Sequence, residues 1–269
     1  MYKLIAIDID GTLLNSKREL TKETKDAITE ARSQGVKVIL ASGRPIAGMR
    51  KQLDALNINS DDDYVIHFNG SVVETAGTGK VIHSEILTGA DAKLVAELAK
   101  QLNVNTHAFS QSLGLITPKE SKYTTVESTI NDIELHEMDF GSLSDDHTII
   151  KAMIVDEPQQ LDAAIAQLPP ELYEKYTIVK SADYFLEFLN PKSNKGLAVK
   201  KLAEALNIPQ EQVMCIGDAG NDKHMVAYAG MGVAMGNAME ETKAVANYIT
   251  GTNDENGVAQ AINKFVLGK

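Results

Sequence analysis

The pattern of apolar and polar positions changes rhythm twice along the chain. Leu4-Ile5-Ala6-Ile7 is an unbroken apolar run, expected of a strand buried on both faces of a parallel sheet, and it runs into Asp8-Ile9-Asp10. Thr21 then caps a helix to about residue 34, Gly35 closes it, a second apolar strand spans 36–41, and Pro45 opens a helix through about 56. A third strand over 64–68 meets Asn69-Gly70, a tight-turn pair, after which 71–74 is expected to return antiparallel.

From residue 83 to 190 the rhythm differs. A helix near 90–102, strands at 105–109, 114–117 and 148–155, a helix near 159–168 and strands at 177–181 and 184–189 predict an antiparallel sheet with helices on one face. This reads as an inserted α+β domain of ordinary size. From Lys195 helices and strands alternate again: helix to about 206, strand 212–216, helix 221–228, strand 232–235, helix 240–247, strand 248–250 and a last helix over 257–266. The expected fold is an α/β, Rossmann-like doubly wound core, residues 1–82 and 191–269, carrying an inserted cap, residues 83–190.

Composition narrows the functions open to such a fold. The 269 residues carry a formal charge of −11 with no block rich in lysine and arginine, which argues against nucleic-acid binding while leaving room for a small anionic ligand in a local basic cluster. No apolar run approaches the roughly 20 residues of a membrane span. Met1-Tyr2-Lys3 leads directly into the first strand without a basic, apolar and small-residue leader, so the expected location is the cytoplasm. The single cysteine, Cys215, excludes an intrachain disulfide and a cysteine metal cluster, and its apolar neighbours suit a buried strand. The six histidines are scattered without metal-ligand spacing.

Candidate chemistry gathers where the predicted core strands end. Ligands of doubly wound sheets bind outside the carboxyl ends of the strands. Asp8, Asp10 and Thr12 follow the first strand, Ser42 and Gly43 the second, and Asp218, Asn221 and Asp222 the strand after the insertion, while Lys195 heads the resuming helix. Alternation sends Asp8 and Asp10 to the same side, and two carboxylates at a buried edge call for a cation or a shared proton. Taken singly, Thr12, Ser42 and Asn221 read by default as helix caps, and Lys195 suits a solvated lysine at a helix start.

The order of the whole set is more specific. Asp8-Ile9-Asp10-Gly11-Thr12, Ser42-Gly43-Arg44, Asn194-Lys195-Gly196 and Gly217-Asp218-Ala219-Gly220-Asn221-Asp222 resemble the four motifs of the haloacid dehalogenase superfamily of phosphatases. The insertion between the second and third motifs is similar to that superfamily's α/β cap. Asn69-Gly70 and Tyr184-Phe185-Leu186-Glu187 further resemble its Cof-type sugar-phosphatase branch. The resemblance implies Asp8 as nucleophile forming an aspartyl phosphate and Asp10 as general acid and base, oriented by Thr12. It implies Mg2+ held by Asp8, the carbonyl of Asp10 and Asp218, with Asp222 either a ligand or an orienter of its waters. Ser42, Gly43 and Lys195 would hold the phosphoryl group. Asn221 would bond that group or Lys195, and Asn69 and Gly70 would touch the substrate or simply form the turn. Arg44 is expected to serve a structural ion pair or to lie on the surface. A phosphomutase passing the phosphoryl group to a second hydroxyl, and a non-catalytic phospho-receiver or metabolite-binding regulator, are the alternatives. The implied partner is a small phosphorylated metabolite; the oligomeric state is left open.

Overall fold

The computed structural model describes residues 1–269 and divides into two compact units, Met1–Ser84 with Asn194–Lys269, and Glu85–Ser193. The divisions fall a few residues beyond the expected 82/83 and 190/191. At the first, the Val81–Ser84 strand pairs antiparallel with Val72–Thr75 and so keeps residues 83 and 84 with the first sheet. At the second, the Ser193 hydroxyl donates to the Glu85 carbonyl and ties the end of the insertion to its beginning.

The first unit is built on an eight-stranded sheet. Its order is Tyr248–Ile249, Met231–Ala234, Val213–Gly217, Leu4–Ile7, Lys37–Ala41, Tyr64–His67, Val72–Thr75 and Val81–Ser84. The first six strands pair in parallel, and the last two pairings, Tyr64–His67 with Val72–Thr75 and Val72–Thr75 with Val81–Ser84, are antiparallel. Leu4–Ile7 is fully buried because it lies between two parallel neighbours, with Ile7 beside Ile216 on one side and Leu40 on the other. Both faces are covered: Ile5, Ile7, Val38 and Leu40 pack with Ile28, Leu53 and Ile262, while Leu4, Ala6 and Ile39 pack with Val199, Leu202 and Met225. The chain builds outward on one side of Leu4–Ile7 and, after the insertion, on the other, so strand order reverses beside it. That reversal is where a doubly wound sheet opens a crevice for ligands.

Helix ends follow the local chemistry. The Lys22–Ser33 helix begins where Thr21 accepts from the Thr24 amide and ends before Gly35 at φ +84°. Several expected helices are shorter: Pro45 leads into a 3₁₀ turn before Arg50–Ala55, the expected 240–247 helix is only Glu240–Lys243, and the last helix passes from Gly257–Ile262 into a π turn.

The second unit holds Thr177–Ala182, Phe185–Leu189, Thr148–Val155, Asn105–Ser110, Gly114–Thr117 and Leu135–Glu137 in that order, with Leu87–Thr88 also paired to Thr148–Val155. All pairs are antiparallel except Gly114–Thr117 with Leu135–Glu137. Ala92, Val95, Leu161 and Leu172 pack on the face carrying Ala108, Ala152, Ile154 and Phe188. The expectation of helices on one face needs correcting. A helix over Lys122–Asn131, unassigned from the sequence, reaches Lys151 on the opposite face through Glu127. Its Thr124, Thr125, Val126, Thr129 and Ile130 are β-branched and poor helix formers, and a capping box between Ser121 and Thr124 starts it nonetheless. No helix is long and apolar enough to cross a membrane.

Candidate active site

Apart from Lys195, which starts a helix, the candidate residues follow the carboxyl ends of strands of the first sheet. The Asp8 amide still donates to the Ile216 carbonyl at 3.0 Å, extending the ladder by one residue and fixing Asp8 beside the neighbouring strand. Gly11, at φ +81°, then turns the chain. A Cβ there would lie 2.4 Å from Asp218 Oδ2, so glycine is required by both the backbone and the carboxylate against it.

Lys195 is fully buried, its Nζ donating to Asp8 Oδ1 at 2.5 Å and Asp222 Oδ1 at 2.6 Å. It starts a helix capped by Asn194 Oδ1, which accepts from the Leu197 amide at 2.8 Å. A solvated lysine is thereby excluded. Asp222 Oδ2 accepts from the amides of Asp218 and Ala219 at 2.9 and 3.0 Å, so its carboxylate joins the lysine to the Asp218 loop with both oxygens engaged. Asp8 Oδ2 and Asp218 Oδ2 accept no hydrogen bond from the protein, whereas Asp218 Oδ1 accepts from the Thr12 hydroxyl at 2.7 Å.

Three sequence expectations change here. Thr12 orients Asp218, not Asp10. Asp10 does not share Asp8's buried edge: the strand ends at Ile7, so strand alternation no longer fixes where Asp10 points, and its side chain is about half exposed. Arg44 grips it in a fork, Nε to Oδ2 at 2.9 Å and Nη2 to Oδ1 at 2.5 Å, and donates Nη1 to the Gly48 carbonyl at 3.0 Å. Arg44 is thus an ion-pair residue whose partner is a candidate acid and base. Asn221 bonds neither Lys195 nor a side chain of the first strand; its Nδ2 donates to Asn69 Oδ1 at 2.9 Å.

Ser42 is buried, its amide donating to the Ile66 carbonyl at 3.0 Å and its Oγ accepting from the Arg44 amide at 3.2 Å. Its carbonyl accepts from the Asn69 amide, and the Asn69 side chain lies over Gly43, where a Cβ would come within 3.0 Å of Oδ1. Gly70 packs on the backbone of Asn194. The two residues read as turn or substrate contacts therefore join loops from three motifs. Arg44–Asp10 and Asn221–Asn69 were missed because only sheet order brings these partners together.

The electrostatics explain the cluster's chemistry. Burial, reinforced by the Asp222 charge, pushes Asp8 well above the usual carboxylate range, although Lys195 pulls against it. Burial and Asp222 likewise raise Asp218 to about 6, against the opposing Thr12 hydrogen bond and Lys195. Burial alone would depress Lys195, but Asp222 and Asp8 outweigh it and raise the ammonium above its ordinary value. One carboxylate oxygen from each of Asp8, Asp218 and Asp222 lies within 4.8 Å of the others. Three carboxylates against one ammonium leave an excess of negative charge, and the two free oxygens are hard donors. The set suits a divalent cation.

The family model for haloacid dehalogenase-like hydrolases matches residues 5–262. The chain is 44% identical to the Bacillus subtilis protein named "Putative phosphatase YxeH", over all of both chains, and 42% identical to "Putative phosphatase M6_Spy0533" of Streptococcus pyogenes serotype M6, over 98% of each. Among solved structures, a haloacid dehalogenase-like hydrolase from Bacteroides thetaiotaomicron superposes with a TM-score of 0.87 at 32% identity, covering 98% of this chain and 99% of that one. With its buried strand-end carboxylates and this match across the sheet and the insertion, the chain belongs to the haloacid dehalogenase-like hydrolases.

Proposed function

We propose that this hydrolase is a Mg2+-dependent phosphatase acting on phosphate monoesters of small metabolites, sugar phosphates among them, through an aspartyl phosphate on Asp8. The observation that carries the reading is the buried Asp8 carboxylate, held by Lys195 through one oxygen, in a cluster where one carboxylate oxygen from each of Asp8, Asp218 and Asp222 lies within 4.8 Å of the others. The hydrolase family and the phosphatase names of the two relatives support it.

Phosphate-monoester hydrolysis is among the slowest uncatalysed reactions, and positioning and charge stabilisation must supply most of the acceleration. Asp8 and Asp218 side chains and the Asp10 carbonyl would hold the cation, and Asp222, spent on Lys195 and two amides, fixes the loop that presents Asp218. Magnesium, when bound, supplies positive charge to the phosphoryl oxygens and to Asp8. Asp8 attacks phosphorus while the bond to the substrate oxygen breaks, and the leaving alcohol takes a proton from Asp10. Asp10 then accepts a proton from the water that attacks the aspartyl phosphate, releasing inorganic phosphate and regenerating Asp8. Ser42, the Gly43 amide, Lys195 and Asn221 hold the phosphoryl oxygens.

The test is phosphate release from a panel of phosphorylated metabolites by the wild type with Mg2+, the wild type with chelator, and Asp8→Asn. Release that needs the metal and falls by at least about 10³-fold in Asp8→Asn is expected. Undiminished release in the mutant overturns Asp8 as nucleophile, and no release from any substrate overturns the phosphatase.

A further inference from the structure

Phe68, Asn69 and Gly70 are consecutive residues with left-handed backbone, at φ +49°, +57° and +93°. Glycine takes that region freely and asparagine tolerates it, but a bulky residue such as Phe68 is strained there. Such strain persists only where the surroundings over-determine the conformation. The strands on either side, Tyr64–His67 and Val72–Thr75, form a plain antiparallel pair that a two-residue turn closes without a strained phenylalanine.

The surroundings show what holds the turn in place. Phe68 N–H donates to the Arg44 carbonyl at 3.1 Å and Asn69 N–H to the Ser42 carbonyl at 2.9 Å, so the Ser42-Gly43-Arg44 loop hangs on these amides. Gly70 comes so close to the next motif that a Cβ would lie 2.4 Å from the Asn194 carbonyl oxygen and 2.8 Å from the Lys195 amide. The Asn69 side chain lies over Gly43 and accepts from Asn221 Nδ2.

We infer that Asn69 is a positioning residue: its carboxamide oxygen fixes the Asn221 amide against the Ser42-Gly43 loop and selects which end of that amide faces the phosphoryl group. A carboxamide carries two N–H donors at one end and an acceptor oxygen at the other. Unrestrained, Asn221 can turn over and present oxygen to an anion, which repels it. Bonded to Asn69, it spends one N–H on the turn and keeps the second for a phosphoryl oxygen. The strained turn thus does for Asn221 what Asp222 does for Lys195. What is held rests on the phosphatase reading; the Asn69–Asn221 link does not.

The experiment uses the full chain as wild type, Asn69→Gly, Asn221→Ala and the double mutant. Glycine keeps the left-handed backbone while removing the acceptor, so the turn itself survives, and thermal melting checks folding. We expect Asn69→Gly to lower kcat about 10- to 100-fold on any phosphorylated substrate the wild type hydrolyses with Mg2+. The double mutant should match Asn221→Ala within about twofold, because the two residues act as one unit. In the absence of substrate, the side-chain amide NMR signals of Asn221 should shift in Asn69→Gly. Wild-type kcat in Asn69→Gly overturns the inference, as does a double-mutant loss equal to the product of the single losses. Should the wild type release no phosphate from any substrate, the phosphatase reading fails by itself, and unmoved Asn221 signals in Asn69→Gly would then still overturn the link.

Discussion

Each unit of the chain buries a lysine between two carboxylates, yet only one of the two clusters has the makings of a reaction centre. Lys195 reaches Asp8 and Asp222; Lys151 reaches Glu187 at 3.1 Å and Glu127 at 3.4 Å. The count of charges is the same. Lys195 heads a helix at the edge of a parallel sheet, where a third carboxylate, Asp218, faces the same cluster and two oxygens stay free. Lys151 projects from the middle of an antiparallel strand, with the Phe109 ring 4.9 Å away and no third carboxylate. His107, next to the Met153 sulfur on that sheet, is kept neutral by burial, with its pKa lowered to about 3. Burial also raises Glu127, and Glu187 Oε2 is buried without a hydrogen bond, so charge more than hydrogen-bond geometry holds this second cluster. A buried charge triad is therefore not itself a site; an additional carboxylate at a strand end, with oxygens left free, makes the difference.

Substitution of the two lysines tests that contrast most strongly. Lys195→Met should lower phosphate release by roughly 10³-fold, because the buried ammonium that holds Asp8, and that is proposed to bind the phosphoryl oxygens, is lost. Lys151→Met should lower unfolding free energy by about 3–5 kcal/mol, since two buried carboxylates lose their counter-charge, while the folded fraction retains near-wild-type kcat. Denaturant titration and kcat measured on both variants separate the outcomes. A comparable loss of kcat in both would erase the distinction between the clusters.

A smaller effect follows from Asp218. Its carboxyl is raised from 3.8 to about 6, so the native state holds a proton that the unfolded chain releases earlier. The metal-free protein accordingly loses stability as pH rises from 3.8 through about 6, and a bound cation, which needs the ionised group, offsets that loss above it. The gain in melting temperature on adding Mg2+ should be clearly larger at about pH 7.5 than at about pH 5. A gain that ignores pH would remove Asp218 from the ligand set.

Much of the core was legible in the sequence because its signals are local. An apolar run with an aspartate at its end marks Leu4–Ile7 and Asp8, and the return of helix–strand alternation after Lys195 marks the second half of the same sheet. Other features were hidden by distance or by competing preferences. Arg44 and Asp10 are 34 positions apart, and Asn221 and Asn69 are 152 apart, so no local pattern announces either pair. The Lys122–Asn131 helix is masked by β-branched residues and stands on its capping box and on the burial of Tyr123, Thr124 and Glu127. Thr12 was assigned to the wrong aspartate because sequence proximity favoured Asp10, whereas the Gly11 turn brings Asp218 beside it.

The central claim, that Asp8 carries the phosphoryl group, is tested most directly by trapping it. Asp10→Asn removes the group proposed to activate the water, so with Mg2+ and a phosphorylated substrate, followed by acid quench, digestion and mass spectrometry, it should yield one phosphoryl group on the peptide containing Asp8. Asp8→Asn treated in the same way should yield none. Product formation without any adduct in Asp10→Asn, or an adduct on another residue, would contradict the account.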